Sequence, residues 1–198
     1  MRDLCPMLLD AEGRLTPVVQ RLLLAVAPVD AGSLARVQVL PHTRNLLRFP
    51  WYPARRGGAF VLGERIYMLK RSLRGAYTDE ATEQHASLLL LAHEVGHLPQ
   101  AARSGLTFSG KLRYVLRAAR QYMWSALRHG RRAHDMAPLE LEADEGRWVL
   151  SRLIGEAPDR AELKAIIDTD DMTGLLGWLS ARTERLGALK QQYRAMFR

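Results

Sequence analysis

The sequence predicts a mostly helical α+β fold, formed by one domain of 198 residues. Apolar residues recur at helical spacing over most of the chain, which predicts amphipathic helices. Strand patterns are confined to residues 35–40 and 59–68, and the second of these is typical of a β-hairpin. Hydrophobic residues make up 47% of the chain, so one sizeable core can form and no second domain is required.

The N-terminal part of the chain is predicted to contain one helix followed by one strand. Residues 15–27 carry apolar side chains at helical spacing, namely Val18, Val19, Leu22, Leu23 and Val26. Pro17 stands where the first turn of a helix tolerates proline. Residues 35–40 alternate in the manner of a strand, and we expect this strand to stop at Pro41.

The hairpin is predicted from a short turn between two apolar strands. Gly63 and Glu64 separate residues 59–62 from residues 65–68, and a two-residue loop that begins with glycine suits a type II′ turn. Residues 41–58 precede the hairpin and combine prolines and glycines with aromatic residues and arginines. They are predicted to form an irregular connection.

The rest of the chain is predicted to be helical. Thr78 or Asp79 is a capping candidate for a helix that continues through an apolar stretch and is closed by Pro99. In the next helix, apolar side chains keep one face and arginines lie on another. The acidic residues around Asp171 are predicted to cap the last helix. The four helices after Pro99 are expected at residues 111–128, 138–154, 160–167 and 173–197.

The formal net charge is +8, and the excess comes mostly from arginines that are spread along the chain. This balance favours acidic partners without identifying them, because net charge governs association rather than fold. A soluble arginine-rich protein, a nucleic-acid-binding protein and a protein of anionic membrane surfaces all remain compatible with it.

Cysteine usage and the N-terminus bear on the compartment. The chain has a single cysteine, Cys5, which excludes an internal disulfide framework and fits a reducing compartment. Cys5 is interpreted as a plain thiol, with a zinc-blocking thiolate as the alternative. The apolar run 22–27 is too short and too late for a signal peptide, and no stretch approaches a membrane span. We therefore expect a cytoplasmic protein in the producing cell, whose export would need a dedicated secretion system.

The segment His93-Glu94-Val95-Gly96-His97 is an HExxH motif. On a helix, His93 and His97 lie one turn apart on the same face, so their imidazole nitrogens can converge on one ion. Glu94 lies on the adjoining edge, where it can take a proton from a water activated by zinc. The apolar residues 88–92 predict that this helix is buried, where unpaired polar side chains would be costly.

Catalytic zinc sites generally need a third protein ligand. The residues after His97 lack the glycine and histidine of the metzincin extension, so a later carboxylate is the alternative third ligand. Glu140 and Asp144 are four residues apart on one predicted helical face, so Glu140 can bind the metal while Asp144 accepts the far N–H of a ligand histidine. Glu142 is the competing candidate, and helical geometry favours Glu140.

The HExxH motif followed about forty residues later by Glu140-Leu141-Glu142-Ala143-Asp144 resembles the gluzincin class of zinc metallopeptidases. In that class a glutamate opening an E-x-x-A-D or E-x-x-x-D helix is the third ligand. The resemblance implies that His93, His97 and Glu140 bind Zn²⁺, that Glu94 is the general base, and that Asp144 orients a ligand histidine.

Residues 57–148 also resemble short zincin-like domains that many bacteria encode, some of them beside secretion or toxin-delivery systems. In those domains a hairpin precedes an apolar HExxH helix, and Gln100 matches a glutamine often found just after the motif. The resemblance implies a metallopeptidase core over 57–148 with the small sheet packed on the motif helix, an N-terminal helix and strand in 1–56, and C-terminal helices in 155–198. It also implies a protein or peptide substrate, and a secretion-system or immunity partner if the protein is delivered.

The group that steadies the oxyanion is less well defined. Peptidases of this class commonly use a tyrosine, histidine or arginine, and the sequence offers Tyr122, His134 and Arg147 without distinguishing them. We take His134 and Arg147 as the candidates. The hairpin is a candidate for substrate binding, because an edge strand above the metal can align an extended peptide through main-chain hydrogen bonds. Ordinary sheet structure explains the hairpin equally well.

Two functions are compatible with these patterns. The first is a zinc metalloendopeptidase that hydrolyses peptide bonds with a zinc-activated water and Glu94 as general base. The alternative is a non-catalytic zincin-like module whose basic amphipathic helix, residues 111–128, binds nucleic acid or an anionic membrane. Glu94 favours the first, because a structural zinc site needs no base and usually contains cysteine. Under the first function, nucleic acid is not an expected partner.

Overall fold

The computed structural model describes residues 8–42, 59–69 and 81–197, and its helix content of 70% confirms the mostly helical α+β class. Three strands form one sheet: β1 (Gln38–His42), β2 (Ala59–Leu62) and β3 (Arg65–Leu69). The α-helices among the described residues are α1 (Pro17–Val26), α2 (Ala31–Arg36), α3 (Ala81–Glu94), α4 (Leu98–Ser104), α5 (Phe108–His129), α6 (Pro138–Ala143), α7 (Glu145–Leu153), α8 (Ala157–Asp168), α9 (Met172–Ser180) and α10 (Thr183–Met196).

The sheet is mixed, with strand order β1-β3-β2. β2 and β3 form the predicted antiparallel hairpin, and Gly63 at its turn has a φ of 67°, as the first central position of a type II′ turn requires. β1 pairs with β3 in parallel. Val39, Ile66 and Val61 are partners across the three strands and are all buried, so they form the core side of the sheet. β2 also packs against α3 and α4, which places the sheet on the motif helix.

The predicted strand 35–40 was partly wrong. Asp30 caps α2 by accepting a hydrogen bond from the Ser33 backbone N–H, so the chain is helical up to Arg36. The strand then runs from Gln38 through Pro41 to His42. β1 is an edge strand, where a proline need not interrupt the ladder.

α1 and α7 form the centre of the core. All five apolar residues predicted for the inner face of α1 are buried, at 0% exposure. α3 crosses α7 at Gly146, where an added Cβ would lie 2.5 Å from the Ala92 carbonyl oxygen and 2.7 Å from the Ala27 Cβ. Because only a hydrogen fits there, α3 and α7 pack with their backbones in near contact.

Several predicted helix limits are corrected. The chain does not leave the helical conformation at Pro99, because a 3₁₀ turn at Val95–His97 leads into α4 with the proline in its first turn. The predicted helix 138–154 is divided at Asp144 into α6 and α7, and the predicted helix 173–197 is divided into α9 and α10. The capping role of Asp171 is confirmed, since its side chain accepts a hydrogen bond from the Gly174 N–H. No helix in the described ranges combines the length and apolar character needed to cross a bilayer.

Candidate metal centre

The HExxH motif lies where α3 ends and the 3₁₀ turn begins. α3 supplies His93 and Glu94, and the turn supplies His97. All three side chains are buried, with 4–6% of each residue exposed. The rings of His93 and His97 meet edge to face, with centroids 5.1 Å apart. The spacing of the motif therefore brings both imidazoles to one point inside the protein.

A close backbone contact brings the third side chain to this point. An added Cβ on Gly96 would lie 2.4 Å from the carbonyl oxygen and 2.7 Å from the Cα of Ala143. The glycine between the two histidines thus lets α6 pack directly on the 3₁₀ turn. Glu140, on the first turn of α6, is consequently buried beside the histidine pair.

The three side chains converge through specific atoms. Oε2 of Glu140 lies 3.0 Å from Nε2 of His93 and 3.8 Å from Nε2 of His97. One donor atom from each of these residues lies within 4.8 Å of the other two, which is the arrangement of a group that could hold a metal ion. Among the described residues, this is the group of histidine, cysteine and acidic side chains with that property.

Each histidine is held on its other nitrogen by a side-chain oxygen. Nδ1 of His93 lies 2.9 Å from Oδ1 of Asp144, and Nδ1 of His97 lies 2.9 Å from Oε1 of Gln100. Both oxygens accept hydrogen bonds, so each Nδ1 is the donor of its contact. The Nε2 atom of each ring is thereby turned toward Glu140.

Gln100 is the residue whose role sequence reasoning did not assign. Its amide nitrogen donates to the Leu139 carbonyl at 2.8 Å and to Oε2 of Glu142 at 3.2 Å, which fixes the amide oxygen toward His97. Glu142 also pairs with Arg103 and is half-exposed. Glu142 thus lies outside the group of converging side chains, which consists of His93, His97 and Glu140.

The charges of the cluster reinforce one another. Burial lowers the pKa of His93, but Asp144 and Glu140 outweigh it and raise this pKa from 6.5 to about 10. Burial raises the pKa of Glu140, but the contact with His93 and the charge of His97 lower it to about 2. The site therefore combines an ionised carboxylate with an imidazole that attracts positive charge, whether a proton or a metal ion.

At this site, two buried carboxylate oxygens have no hydrogen-bond partner among the described residues. They are Oε2 of Glu140 and Oε2 of Glu94, both fully buried. Nε2 of His93 is at hydrogen-bond distance from the first of them, but it is not aligned for a hydrogen bond. Buried acceptors of this kind are costly unless a cation or a donor satisfies them.

Glu94 is a fully buried carboxyl beside the two histidines. Its desolvation raises its pKa, and the nearby His93 and His97 oppose that shift only in part. A carboxylate with a raised pKa holds a proton more readily than an exposed glutamate does. Glu94 can therefore accept a proton beside His93, His97 and Glu140 and release it again.

Two of the three candidate oxyanion groups lie beside Glu140. The hydroxyl of Tyr122 donates to Oε1 of Glu140, and Nε2 of His134 lies 3.6 Å from the same oxygen. The two rings stack with centroids 5.7 Å apart. Burial and the charge of Glu140 raise the pKa of Tyr122 above its usual range, so the phenol remains a donor. Oε1 is thus held by α5, which leaves Oε2 for the histidines.

Arg147 lies elsewhere. Its Nε is 2.5 Å from Oδ1 of Asp144, the same oxygen that contacts Nδ1 of His93. This is the side of the imidazole opposite Nε2. Arg147 thus approaches His93 only through Asp144, on the side of the ring that faces away from Glu140.

Comparisons with protein-family models, with curated proteins and with solved structures find no match for this chain.

Proposed function

We propose that this protein is a zinc-dependent metallopeptidase of gluzincin type, with His93, His97 and Glu140 as metal ligands. The observation that carries the proposal is the convergence of both Nε2 atoms on Oε2 of Glu140, while side-chain oxygens hold both Nδ1 atoms. Without a metal ion, a proton on His93 could bridge only one pair among the two Nε2 atoms and the carboxylate oxygen in this buried space. A metal ion accounts for all three at once.

The donor set favours zinc among the metals of proteins. Two histidine nitrogens and one carboxylate oxygen form the ligand set of many catalytic zinc sites, which keep a fourth position open. Donors about 2 Å from a tetrahedral ion stand about 3.3 Å apart. The distances of 3.0 and 3.8 Å from the Glu140 oxygen to the two nitrogens bracket that value.

Each residue around the cluster would have a separate role in hydrolysis. A zinc ion held by His93, His97 and Glu140 would act as a Lewis acid, lowering the pKa of a bound water to near neutral and polarising a peptide carbonyl. Glu94 takes the proton of the attacking water and passes it to the leaving amine. Asp144 and Gln100 keep the imidazoles in the ligating tautomer, and Arg147 steadies Asp144. His134 is the candidate that steadies the oxyanion.

The substrate we propose is an extended peptide segment. β2 is an edge strand that packs on α3, and in the described part of the chain it pairs only with β3. A peptide can add to such an edge through main-chain hydrogen bonds. This mode would align a backbone carbonyl for attack without strong side-chain selection.

The decisive experiment measures metal content and hydrolysis in the same set of proteins. Wild type should contain about one zinc per chain and cleave a degenerate fluorogenic peptide library. Glu140→Ala should lose most of the zinc. Glu184→Ala is the control, because it removes an exposed glutamate of α10 that lies outside the cluster, and it should keep zinc and activity.

Glu94→Gln separates metal binding from catalysis. This variant should keep its zinc while kcat falls by about 10²–10⁴-fold, since a positioned base contributes that much. Full activity in Glu94→Gln, or equal zinc in Glu140→Ala and wild type, would contradict the proposal.

A further inference from the structure

The apolar surface of this protein is concentrated on one helix. Eight of the eleven exposed large hydrophobic residues of the described chain lie between Leu106 and Leu127. They include Phe108 at 86%, Leu127 at 76% and Leu116 at 60% exposure. We call the stripe formed by Phe108, Leu112, Val115, Leu116, Met123 and Leu127 the outer face of α5.

α5 therefore turns its apolar face toward solvent, whereas an ordinary surface helix turns that face toward the core. Its buried positions are Gly110, Tyr114 and Ser125, whereas its leucines face solvent. A surface helix of a globular protein normally turns its apolar stripe toward the core. A large exposed stripe of this kind marks a contact site.

The same region of the sequence is strongly basic. Residues 95–134 contain eight lysines and arginines and no aspartate or glutamate. The apolar stripe of α5 thus lies within a long basic stretch that has no acidic side chain. Beside the outer face lie the exposed Arg113, Arg117, Arg120 and Arg128, and none of them forms an ion pair with a described carboxylate.

From these two observations we propose that the outer face of α5 docks on an anionic lipid bilayer, with the helix lying in the plane of the membrane surface. Interfacial helices combine a leucine- and aromatic-rich face with a polar face rich in arginine and lysine. Anionic headgroups supply the negative charge that the protein lacks there. The apolar stripe enters the headgroup region while the flanking arginines contact phosphates.

Other occupants fit the surface less well. Nucleic acid would pair with the arginines but would leave six apolar side chains in water, since its binding relies on charge and stacking. A second copy could cover the stripe, but it would bring two acid-free basic flanks together. Residues 43–58 of the same chain contain four arginines and no acid, so they offer no complementary charge either.

The inner side of α5 gives the docking a structural consequence. Tyr122 projects from it to Glu140, so the bound helix would hold the candidate metal centre beside the bilayer. The docking itself does not depend on catalysis. It can be measured on a protein that has no peptidase activity.

The test is co-sedimentation of the full chain with vesicles. Phosphatidylcholine vesicles that contain phosphatidylserine should bind the protein, and pure phosphatidylcholine vesicles should bind it far less. Raising salt from about 0.1 M to about 1 M should release it, because the screening length falls from about 10 Å to about 3 Å.

Two paired variants assign the binding to the outer face. Leu116→Gln/Leu127→Gln should lower the partition coefficient about tenfold, while Leu176→Gln, which changes a 45%-exposed leucine of α9, should not. Arg113→Gln/Arg120→Gln should lower it at least tenfold, since each basic residue near an anionic surface contributes about fivefold. Arg14→Gln/Arg21→Gln removes the same charge from another exposed region and should bind as wild type does.

Four results would overturn the proposal. They are no binding to either vesicle, equal binding to both vesicles, equal loss in the control variants, and concentration-dependent dimerisation that the leucine variant abolishes while vesicles remain unbound. Binding to duplex DNA that the leucine variant leaves unchanged, without vesicle binding, would assign the arginines to nucleic acid instead.

Discussion

The side chains at the candidate metal centre are each held by a neighbour that fixes one atom. Asp144 and Gln100 contact the Nδ1 atoms of the histidines, and the Tyr122 hydroxyl donates to Oε1 of Glu140. Each of these contacts leaves the remaining donor atom directed at the same space. In metal sites generally, loss of a hydrogen-bond partner of a ligand changes metal affinity by about 10–100-fold.

The pKa shifts at this centre predict how the stability of the metal-free protein depends on pH. The pKa of His93 is raised from 6.5 to about 10, so its contribution is complete below pH 6.5 and is lost as the pH rises toward 10. The pKa of Glu140 is lowered from 4.5 to about 2, so its contribution is complete above pH 4.5 and is lost as the pH falls toward 2. Metal-free protein should be most stable between those limits.

Thermal unfolding in EDTA checks this prediction. From pH 6.5 to 10 the free energy of unfolding should fall by at least about 1.4 kcal/mol, the equivalent of one pKa unit. With zinc in excess the dependence should reverse over the lower part of that range, because metal binding displaces the proton from His93. A Glu140→Gln variant in EDTA should show a smaller pH dependence, and an unchanged dependence would refute the assignment.

The sequence was sufficient for the residues that are linked by helical spacing. His93 and His97 are one turn apart, and Glu140 and Asp144 are one turn apart, so each pair could be assigned without knowing how the helices pack. Gln100 and Tyr122 could not be assigned in this way. Their roles depend on how α4 and α5 approach α6, which is a property of tertiary packing.

At the scale of elements, two glycines set the distances between helices. The lack of a side chain at Gly96 allows the end of α6 to pack on the 3₁₀ turn, and at Gly146 it allows α7 to pack on α3. The hydrophobic pattern predicted that these helices exist, but glycine positions in a pattern do not reveal which backbone they approach. For the same reason the pattern could not show that the chain continues through Pro99 in a new helix.

Replacement of Gly96 tests whether this contact positions Glu140, the proposed third ligand. A Cβ at Gly96 would collide with backbone atoms of Ala143, which cannot move without moving α6. Gly96→Ala should therefore reduce zinc affinity by at least about tenfold, the effect expected for a displaced ligand. Competition with a chromogenic chelator measures that affinity.

Gly187→Ala is the matched control for this prediction. Nothing lies within 4 Å of a Cβ at that position of α10, so the substitution should leave zinc affinity unchanged. It should also stabilise the protein by about 0.5–1 kcal/mol, because alanine has the better helix propensity. Equal zinc affinity in Gly96→Ala and wild type would show that α6 tolerates the shift.

At the scale of the whole molecule, the C-terminal helix supports the helices around the candidate metal centre. The hydroxyl of Tyr193 donates to the Leu141 carbonyl in α6 at 2.6 Å. The Arg194 guanidinium binds both carboxylate oxygens of Glu145 in α7, at 2.8 and 3.1 Å. α10 thus bridges the two helices that flank Asp144, and residues far apart in sequence support one site.

Substitution of Arg194 measures this support. Glu145 is buried at 6% exposure, so Arg194→Ala leaves a carboxylate with its charged partner removed. The free energy of unfolding should fall by about 1–2 kcal/mol, and denaturant titration measures it. Gln192→Ala changes an exposed residue of the same helix and should stay within about 0.5 kcal/mol of wild type. Adding Glu145→Gln to Arg194→Ala should recover part of the loss, because the unpaired charge is then gone. If the double variant is no more stable than Arg194→Ala, the bridge from α10 to α7 does not depend on this ion pair.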